Sequence, residues 1–356
     1  MSIHFSFATR EDGDGILKIM EGDAAKGDIQ LFYTRRPNPV DSMLLESDKT
    51  VIGVFKKNDD IVGTIAGIPR KMYIDGKPQT VCYVTNMKKL EDFKGNINWI
   101  QAFNEMYDPL DSSVYYCSVV KENTGVLAML QKKRPWLPYA VDMDGYRTYI
   151  ISTTAKVKNP CEDLKFRRAE DSDEVALLQF LESQAREKSF FPVIERFGSG
   201  DLPKVTDFYI LTDGDVIMAA GALWDRSDIK QYVVQSYSGR VAALRVLNPL
   251  ISRLGYIRIP KEGSRADFTF LSFFLAKGDR TDLYETFLFH IKKEVAKTHQ
   301  MFVLGTNEHN PKRQVLDKIT SLKFDTELEE VVMSEFRGAK KIEFDYKNLE
   351  VECALL

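Results

Sequence analysis

The stretch FSFATREDGDGILKIM, residues 5–20, combines a short apolar segment, an acidic turn and a helical pattern. A similar stretch, LKFRRAEDSDEVALLQ, occupies residues 164–179. Pairing Phe7 with Phe166 aligns the acidic residues of the two turns: Glu11 with Glu170, Asp12 with Asp171 and Asp14 with Asp173. Because acidic residues are favoured at helix N-termini in general, this similarity alone does not establish a duplication.

The segments that follow also agree in order between the two halves. Each half has a predicted hairpin, at residues 51–67 and 208–222, with the turn residues Asn-Asp-Asp and Asp-Gly-Asp. Each then has an apolar strand that leads through Lys-Gly into a helix, and a further strand followed by asparagine and another helix. The repeated order predicts a duplicated domain. We expect an N-terminal domain over residues 1–155, a C-terminal domain over 162–337 and a tail over 338–356.

Composition and charge exclude several classes of protein. The 49 Lys and Arg residues against 52 Asp and Glu leave a net charge of −3, so there is no general attraction to nucleic acid or to an anionic membrane. The 4 cysteines and 4 histidines show neither a C-x-x-C pair nor the spacing of metal ligands. Residues 1–15 lack the apolar core of a signal peptide, and no run approaches the length of a membrane span. We therefore expect a cytoplasmic protein with no metal, nucleic-acid or membrane partner.

The order of the predicted elements resembles that of the GNAT superfamily of acyl-CoA-dependent N-acyltransferases, present as a tandem pair over nearly the whole chain. Residues 61–95, IVGTIAGIPRKMYIDGKPQTVCYVTNMKKLEDFKG, are similar to the run from the third to the fourth strand of that family. The resemblance implies an α/β fold, or α+β in another scheme, of two tandem GNAT-like domains, each a twisted mixed sheet flanked by helices. It also implies acetyl-CoA or another acyl-CoA as co-substrate and a primary amine, a small molecule or a peptide, as acceptor.

The family binds CoA through the end of its fourth strand and the loop that follows, in a pattern written R/Q-x-x-G-x-G/A. In the first half this pattern places Lys94 at the Arg/Gln position, but Ile97 and Trp99 at the two glycine positions. In the second half Lys277 takes the first position, and Arg280 and Asp282 stand where glycines belong. The cofactor-binding residues that the resemblance implies are Met87, Lys88, Lys89, Lys94, Gly95, Asn96 and Asn123 in the first half, and Lys277, Gly278 and Arg280 in the second.

The resemblance gives weaker guidance on catalysis. Family members often have a tyrosine seven residues after the asparagine of the last helix, as a general acid for the leaving thiolate, but this chain has Leu130 and Asp317 there. A carboxylate base is often found on the fourth strand, where the first half offers Tyr83 and Asn86 and the second half offers Asp267. Tyr83 and Asn86 are therefore the candidate catalytic residues, and the first half is the expected donor site because its match runs longer.

Three functions remain open from the sequence. The first is transfer of an acyl group from CoA to a primary amine. The second is a catalytically inactive GNAT-fold module that senses a ligand or binds a protein. The third is a transferase that uses aminoacyl-tRNA, which would need a basic groove; only KKRPW, residues 132–136, concentrates positive charge. Lys94 and Gly95 could also form a simple turn before an amphipathic helix, and Asn123 could be a plain N-cap.

Overall fold

The computed structural model describes residues 2–22, 29–134, 137–239, 242, 248, 260–333 and 348–356. The strands within these residues are β1 (His4–Phe7), β2 (Ile29–Thr34), β3 (Val51–Lys57), β4 (Asp60–Ile74), β5 (Lys77–Lys89), β6 (Val114–Val120), β7 (Tyr139–Ser152), β8 (Lys165–Arg168), β9 (Phe208–Asp213), β10 (Val216–Trp224), β11 (Gln231–Tyr237), β12 (Thr269–Ala276), β13 (Met301–Asn307) and β14 (Ser321–Val332). The α-helices are α1 (Gly13–Glu21), α2 (Pro39–Glu46), α3 (Trp99–Leu110), α4 (Thr124–Leu130), α5 (Glu174–Ala185), α6 (Thr281–Val295) and α7 (Lys312–Leu316).

Twelve of the described strands form one mixed sheet, in the order β1-β3-β4-β5-β6-β14-β7-β13-β12-β10-β9-β8. Strands β2 and β11 form a separate antiparallel pair. Helix α3 packs on one face of the first half, and α1 and α2 pack on the other, because the alternating side chains of β3 and β4 are apolar on both faces. The α/β class predicted from the sequence, with a large mixed sheet flanked by helices, is confirmed.

The last strand of each half crosses into the other half. Strand β7 lies between β14 and β13, whereas β14 lies between β6 and β7. The pairing of β14 with β7 is long, and runs from Ser321↔Ile151 to Val332↔Tyr139. One core cluster consequently contains residues of both halves, including Tyr83 and Phe273. The two halves share a sheet and a core, and the division into domains at residues 155 and 162 stays a prediction.

The acidic turns of the two halves correspond, but not in the register that the sequence suggested. The Asp12 carboxylate accepts from the Thr9 N–H at 2.8 Å, and the Asp173 carboxylate accepts from the Glu170 N–H at the same distance. Asp12 is thus the counterpart of Asp173, not of Asp171. The pairing of Phe7 with Phe166 was wrong by two residues, because runs of acidic residues align in more than one register.

Some predictions concern features that the described residues do not include. Pro135 and Trp136 of the KKRPW stretch, and residues 338–347 of the expected tail, lie outside the described ranges. Within those ranges, no helix is long and apolar enough to cross a membrane. The same residues contain no group of three His, Cys, Asp or Glu side chains arranged to hold a metal ion.

Candidate functional site

Each half of the sheet contains one parallel pair of strands, and both pairs are short. The pairing of β5 with β6 ends at Tyr83↔Tyr116. The pairing of β12 with β13 ends at Phe270↔Val303. Beyond these points the two strands of each pair are no longer hydrogen-bonded to one another, so each half has an opening between its parallel strands. We call them the first opening, between β5 and β6, and the second opening, between β12 and β13.

A bulge in the longer strand accompanies each opening. Asn86 in β5 and Phe273 in β12 both have a left-handed backbone, with φ of 52°. The neighbouring strands β4 and β10 shift register opposite them. Asn86 lies three residues beyond Tyr83, and Phe273 lies three residues beyond Phe270. Since a bulge bends a strand and leaves a residue unpaired, the two openings have the same structural origin.

The chain's own C-terminal segment fills the second opening. The Phe273 N–H at the bulge donates to the Glu352 carboxylate at 2.6 Å. The Val351 N–H donates to Asn307 Oδ1, at the end of β13, at 3.2 Å. Every residue of β12 and of β13 is buried. Among the described residues, the second opening is therefore filled by the chain itself.

The first opening keeps part of its surface accessible. The partly exposed residues beyond Tyr83 and Tyr116 are Val84, Thr85, Met87 and Lys88 in β5 and Cys117 and Ser118 in β6. Lys89, at the end of β5, is exposed. Three of the residues implied by the family pattern, Met87, Lys88 and Lys89, thus lie along the accessible opening. The difference between the two openings is the main asymmetry between the halves.

The two candidate catalytic residues lie where β5 and β6 separate. The Tyr83 hydroxyl is 2.7 Å from the Ser118 hydroxyl. Burial raises the pKa of Tyr83 to about 12, so this hydroxyl is protonated at neutral pH and can donate a proton. The buried Asn86 amide lies 3.5 Å from the sulfur of Met43 in α2. Asn86 has no titratable group, so it can orient a ligand but cannot abstract a proton.

The turn with Lys94, Gly95 and Asn96 follows β5 but does not begin the next helix. Helix α3 begins at Trp99. Lys94 and Asn96 are exposed, whereas Gly95 packs closely on the Phe93 ring, which a Cβ atom at position 95 would approach to 2.3 Å. The free N–H groups of the helix N-terminus therefore belong to residues after this turn.

The two residues at the family's glycine positions pack on the sheet. The Trp99 ring meets Phe55 of β3 edge-to-face, with ring centroids 5.3 Å apart. Ile97 lies over Gly63 of β4, because a Cβ atom on that glycine would be 2.3 Å from the Ile97 methyl group. Both contacts are with β3 and β4, not with the edges of the first opening. The indole therefore does not plug the opening.

Trp99→Ala is expected to lower the free energy of unfolding by about 2 kcal/mol, because the change removes a partly buried ring from the α3 interface. CoA affinity should stay at the wild-type value. Chemical unfolding and calorimetric titration of CoA measure the two quantities. Phe7→Ala, at an aromatic residue 46% exposed, is the control and should cost less. Strengthened CoA binding in Trp99→Ala would contradict this placement of the ring.

The corresponding turn of the second half has its polar groups engaged. Gly278, with φ of 59°, donates its N–H to Gln184 Oε1 at 2.9 Å. Arg280 binds the Asp282 carboxylate at 2.5 and 3.1 Å. Lys277 is exposed. Two of the three residues that the pattern implied here are thus held by protein groups.

Asp279 places a carboxylate in the middle of that turn. It forms an ion pair with Lys188, and its other oxygen accepts from the Tyr284 hydroxyl at 2.8 Å. The Asp279 carboxylate occupies the lysine that a phosphate would otherwise bind. Its negative charge also repels a further anion. The turn therefore offers little to a diphosphate.

Of the two predicted roles of Asn123, cofactor binding and helix capping, the structure shows the cap. It is the N-cap of α4, and its side-chain oxygen accepts from the Val126 N–H at 3.4 Å. Helix α4 has no buried residue. A cap uses the side-chain oxygen of asparagine, so only the amide nitrogen of Asn123 is left for another contact.

The remaining residues from the family comparison lie away from the openings or are paired. Asp317 accepts from the Tyr149 hydroxyl at 2.8 Å and from Arg147 at 3.1 Å. Asp267 precedes β12, is 2.7 Å from His299 Nδ1, and has a side chain 70% exposed. Neither carboxylate faces a bulge, and neither is placed to act on a ligand in the first opening.

A buried carboxylate that the sequence did not indicate lies beside β6. Glu329 of β14 is opposite Cys117 and is fully buried. Gln131 donates to its Oε1 at 2.6 Å, while its Oε2 has no hydrogen-bond partner. Burial raises the pKa of Glu329 to about 7, and Asp142 adds to this effect. Glu329 reaches this place only because β14 crosses between the halves, which no local pattern reveals.

Relative to wild type, Glu329→Gln is expected to be more stable at pH 8 than at pH 4.5, by about 3 kcal/mol. The ordinary pKa is 4.5 and the folded value is about 7. The folded state therefore binds more protons between these values, and wild-type stability falls as the pH rises through this window. Urea unfolding from pH 4.5 to 8 measures the slope, with Glu182→Gln as an exposed control. Parallel curves for wild type and Glu329→Gln would contradict the expectation.

The sequence matches no known family model and no curated protein. The structure is similar to Saccharomyces cerevisiae N-myristoyltransferase with bound myristoyl-CoA, with a TM-score of 0.58 and 10% identity over 98% of this chain and 84% of that one. It is also similar to GCN5-related N-acetyltransferases from Anabaena variabilis and Kribbella flavida, each with a TM-score of 0.51, at 8% and 9% identity. Those two matches cover 92% of this chain, and 72% and 70% of theirs. At these identities the similarity concerns the fold alone, and it confirms the fold inferred from the sequence.

Proposed function

Since the chain has the GNAT-like fold of acyl-CoA N-acyltransferases, we propose that it transfers an acyl group from acyl-CoA to a primary amine. One observation carries the proposal. Of two openings with the same structural origin, the first is accessible, and the second is closed by residues 350–352. A single donor site in the first opening fits this asymmetry.

In this proposal the thioester lies beside the Asn86 bulge and the CoA diphosphate lies beyond the end of β5. Lys88 and Lys89 follow the bulge and supply positive charge, and backbone N–H groups of the turn at Gly95 supply hydrogen bonds. The amine nitrogen attacks the thioester carbonyl, the carbon–sulfur bond breaks, the nitrogen loses one proton and the departing thiolate gains one. In the proposed reaction Tyr83 gives the thiolate its proton, because burial keeps the Tyr83 hydroxyl protonated, and the proton lost by the amine restores that hydroxyl. The remaining rate acceleration comes from positioning the amine beside the thioester.

Acetyl-CoA is expected to stabilise the full chain by about 2.7 kcal/mol at a concentration about 100 times its dissociation constant. Thermal unfolding and calorimetric titration measure this effect. Lys89→Glu should weaken binding about fivefold at low salt, because it reverses an exposed charge near the diphosphate. Lys165→Glu, an exposed strand lysine at the far edge of the sheet, is the matched control. The absence of any shift at millimolar acyl-CoA, for acetyl through myristoyl chains, would contradict the proposal.

A second candidate function is a ligand-sensing or protein-binding module without catalysis. The observation in its favour is that Leu130 and Asp317 stand where a family tyrosine is common, and that Asp317 is already paired with Tyr149 and Arg147. Release of free CoA thiol in the presence of a panel of primary amines separates the two functions. Acyl-CoA binding with no thiol release above the rate without amine supports the module.

A further inference from the structure

A buried group of charged side chains joins the two halves next to the first opening. It consists of Arg35, Glu46, Arg70, Asp201, Arg226 and Lys230, which we call the basic cluster. The side chains of Glu46, Arg226 and Lys230 are at most 1% exposed. Glu46 ends α2 and Arg70 lies in β4, whereas Arg226 and Lys230 follow β10 of the second half.

The Glu46 carboxylate is the centre of the basic cluster. It forms an ion pair with Arg35 and lies 2.6 Å from Arg70 Nη2, 3.3 Å from Lys230 Nζ and 3.4 Å from Arg226 Nη2. Lys230 has further partners, because its Nζ also donates to the main-chain oxygens of Ala354 at 3.3 Å and Leu356 at 2.9 Å. Asp201, the other carboxylate, pairs with Arg226 and lies 3.5 Å from Arg70.

Positive charge exceeds negative charge in the basic cluster. Even without Lys230, three arginines face two carboxylates among the described side chains. Burial, together with the neighbouring charges of Arg70 and Arg35, lowers the pKa of Arg226 to about 10, whereas Glu46 acts to raise it. Arg226 stays protonated at neutral pH, so among the described residues at least one buried positive charge of the basic cluster has no carboxylate of its own. An uncompensated buried charge is costly and is normally balanced by an opposite charge.

Several hydrogen-bond donors of the basic cluster have no partner. They are the Nε atoms of Arg35, Arg70 and Arg226, and Nη2 of Arg226. The buried Tyr116 hydroxyl, where β5 and β6 separate, also has none. A guanidinium presents donors in a planar fork that matches a carboxylate or a phosphate. The Arg226 side chain is buried, and neither Nε nor Nη2 makes a hydrogen bond, although Nη2 lies 3.4 Å from Glu46, so these two adjacent donors can still bond to such a group.

Helix α2 connects the basic cluster to the first opening. Asn86 at the bulge of β5 touches Met43 of α2, with 3.5 Å between Nδ2 and the sulfur. Glu46 lies three residues further along the same helix, which is about one turn or 5 Å. The Asn86 bulge and the Glu46 centre of the basic cluster therefore lie against neighbouring turns of the same helix.

We propose that the basic cluster binds an oxyanion, a carboxylate or a phosphate, on the acceptor amine. The assignment of this ligand to the acceptor rests on the proposed acyl transfer, but the oxyanion site itself does not. The acceptor class is then a small amine that also carries an acidic group. One oxyanion both supplies the missing negative charge and accepts from the unpartnered N–H groups.

The test uses matched pairs of small amines at constant ionic strength. Thermal unfolding of the full chain is followed with glycine against glycinamide, and with phosphoethanolamine against ethanolamine. Inorganic phosphate serves as an acceptor-free probe. The expected result is a saturable rise in melting temperature with at least one acidic member, and none with the partner amine that lacks the acidic group. A larger response to glycine identifies a carboxylate, and a larger response to phosphoethanolamine identifies a phosphate.

Arg226→Met should weaken binding of the acidic probe at least tenfold, whereas Arg167→Met, at a partly exposed pair with Asp173, should leave it unchanged. Equal binding by wild type and Arg226→Met overturns the proposal, and so does the absence of a saturable response in wild type. If Arg226→Met does not fold, Arg226→Lys keeps the charge but loses the fork, and the same weakening is expected.

A selenate soak of wild-type crystals needs no variant. An anomalous peak within hydrogen-bond distance of Arg226 supports the proposal, and no peak there contradicts it. Failure of acyl transfer is separable from failure of the oxyanion site. If phosphate binds but no thiol is released with any amine, acyl transfer is wrong and the oxyanion site stands.

Discussion

Glu46→Gln is expected to lower the free energy of unfolding by about 3–5 kcal/mol, because the change removes the carboxylate at the centre of four buried cations. Glutamine has nearly the same shape, so little of the loss can come from packing. What remains is mutual repulsion among Arg35, Arg70 and Arg226, with Asp201 as the one carboxylate left among the described residues of the basic cluster. Urea unfolding at pH 7 measures the change.

Glu182→Gln is the control for Glu46→Gln. Glu182 pairs with Arg186 one helical turn away on the surface, where both side chains are about half exposed. Exposed pairs of this kind contribute at most about 1 kcal/mol. A loss of less than 1 kcal/mol in both variants would show that the basic cluster is solvated in solution.

The dependence of this effect on pH has a definite sign. Burial alone would raise the pKa of Glu46, but the surrounding cations, Arg35 and Lys230 foremost, hold it well below its ordinary value of 4.5. Glu46 therefore contributes stability above pH 4.5 that is lost only as the pH falls through the lower folded value. The difference between wild type and Glu46→Gln should stay constant from pH 5 to 7.

The sequence predicted those features that depend on neighbours in the chain. The aromatic-rich run FTFLSFFLA, residues 268–276, predicted a buried strand, and the structure buries residues 269–276. The order of hairpin, strand and helix, read from turn residues and apolar spacing, predicted the fold in the same way. The position of the Trp99 ring was not predictable, because it depends on a contact with Phe55 of β3, which is distant in the sequence.

The basic cluster and the closed second opening could not be predicted from local patterns. Arg35 and Arg226 come from opposite halves, and each looks like an ordinary surface arginine in its own sequence context. The crossing of β7 and β14 brings the halves into one sheet and one core. This crossing brings Arg35, Glu46 and Arg70 of the first half against Arg226 and Lys230 of the second, so these charged side chains become buried between the halves.

Glu350→Gln is expected to cost about 3–5 kcal/mol and to loosen the segment that fills the second opening. Lys312 Nζ is 2.8 Å from the Glu350 carboxylate, and both residues are at most 4% exposed. The Lys312 ammonium also lies over the rings of Phe274 and Tyr284, at 5.3 and 5.4 Å. Without the carboxylate a buried ammonium keeps only these aromatic contacts, which are weaker than an ion pair.

The double variant Lys312→Met and Glu350→Met separates the charge from the packing. Replacing both members of a buried ion pair by apolar side chains is often neutral, so most of the lost stability should return. Methionine also suits the aromatic surroundings of Lys312. A double variant as unstable as Glu350→Gln would show that Asn310, which donates to Glu350 at 2.5 Å, rather than Lys312, is the main partner of the carboxylate.

Hydrogen exchange reports whether the segment itself is released. The N–H groups of Val351 and Phe273 bond to Asn307 and Glu352 across the second opening. In Glu350→Gln both should exchange about 100-fold faster, because about 3 kcal/mol corresponds to roughly two decades in an opening equilibrium. Acyl-CoA should still bind with a stoichiometry of one, since Asp279 keeps its lysine partner at the turn beside the second opening. A stoichiometry of two would show that residues 350–352 alone exclude a second donor.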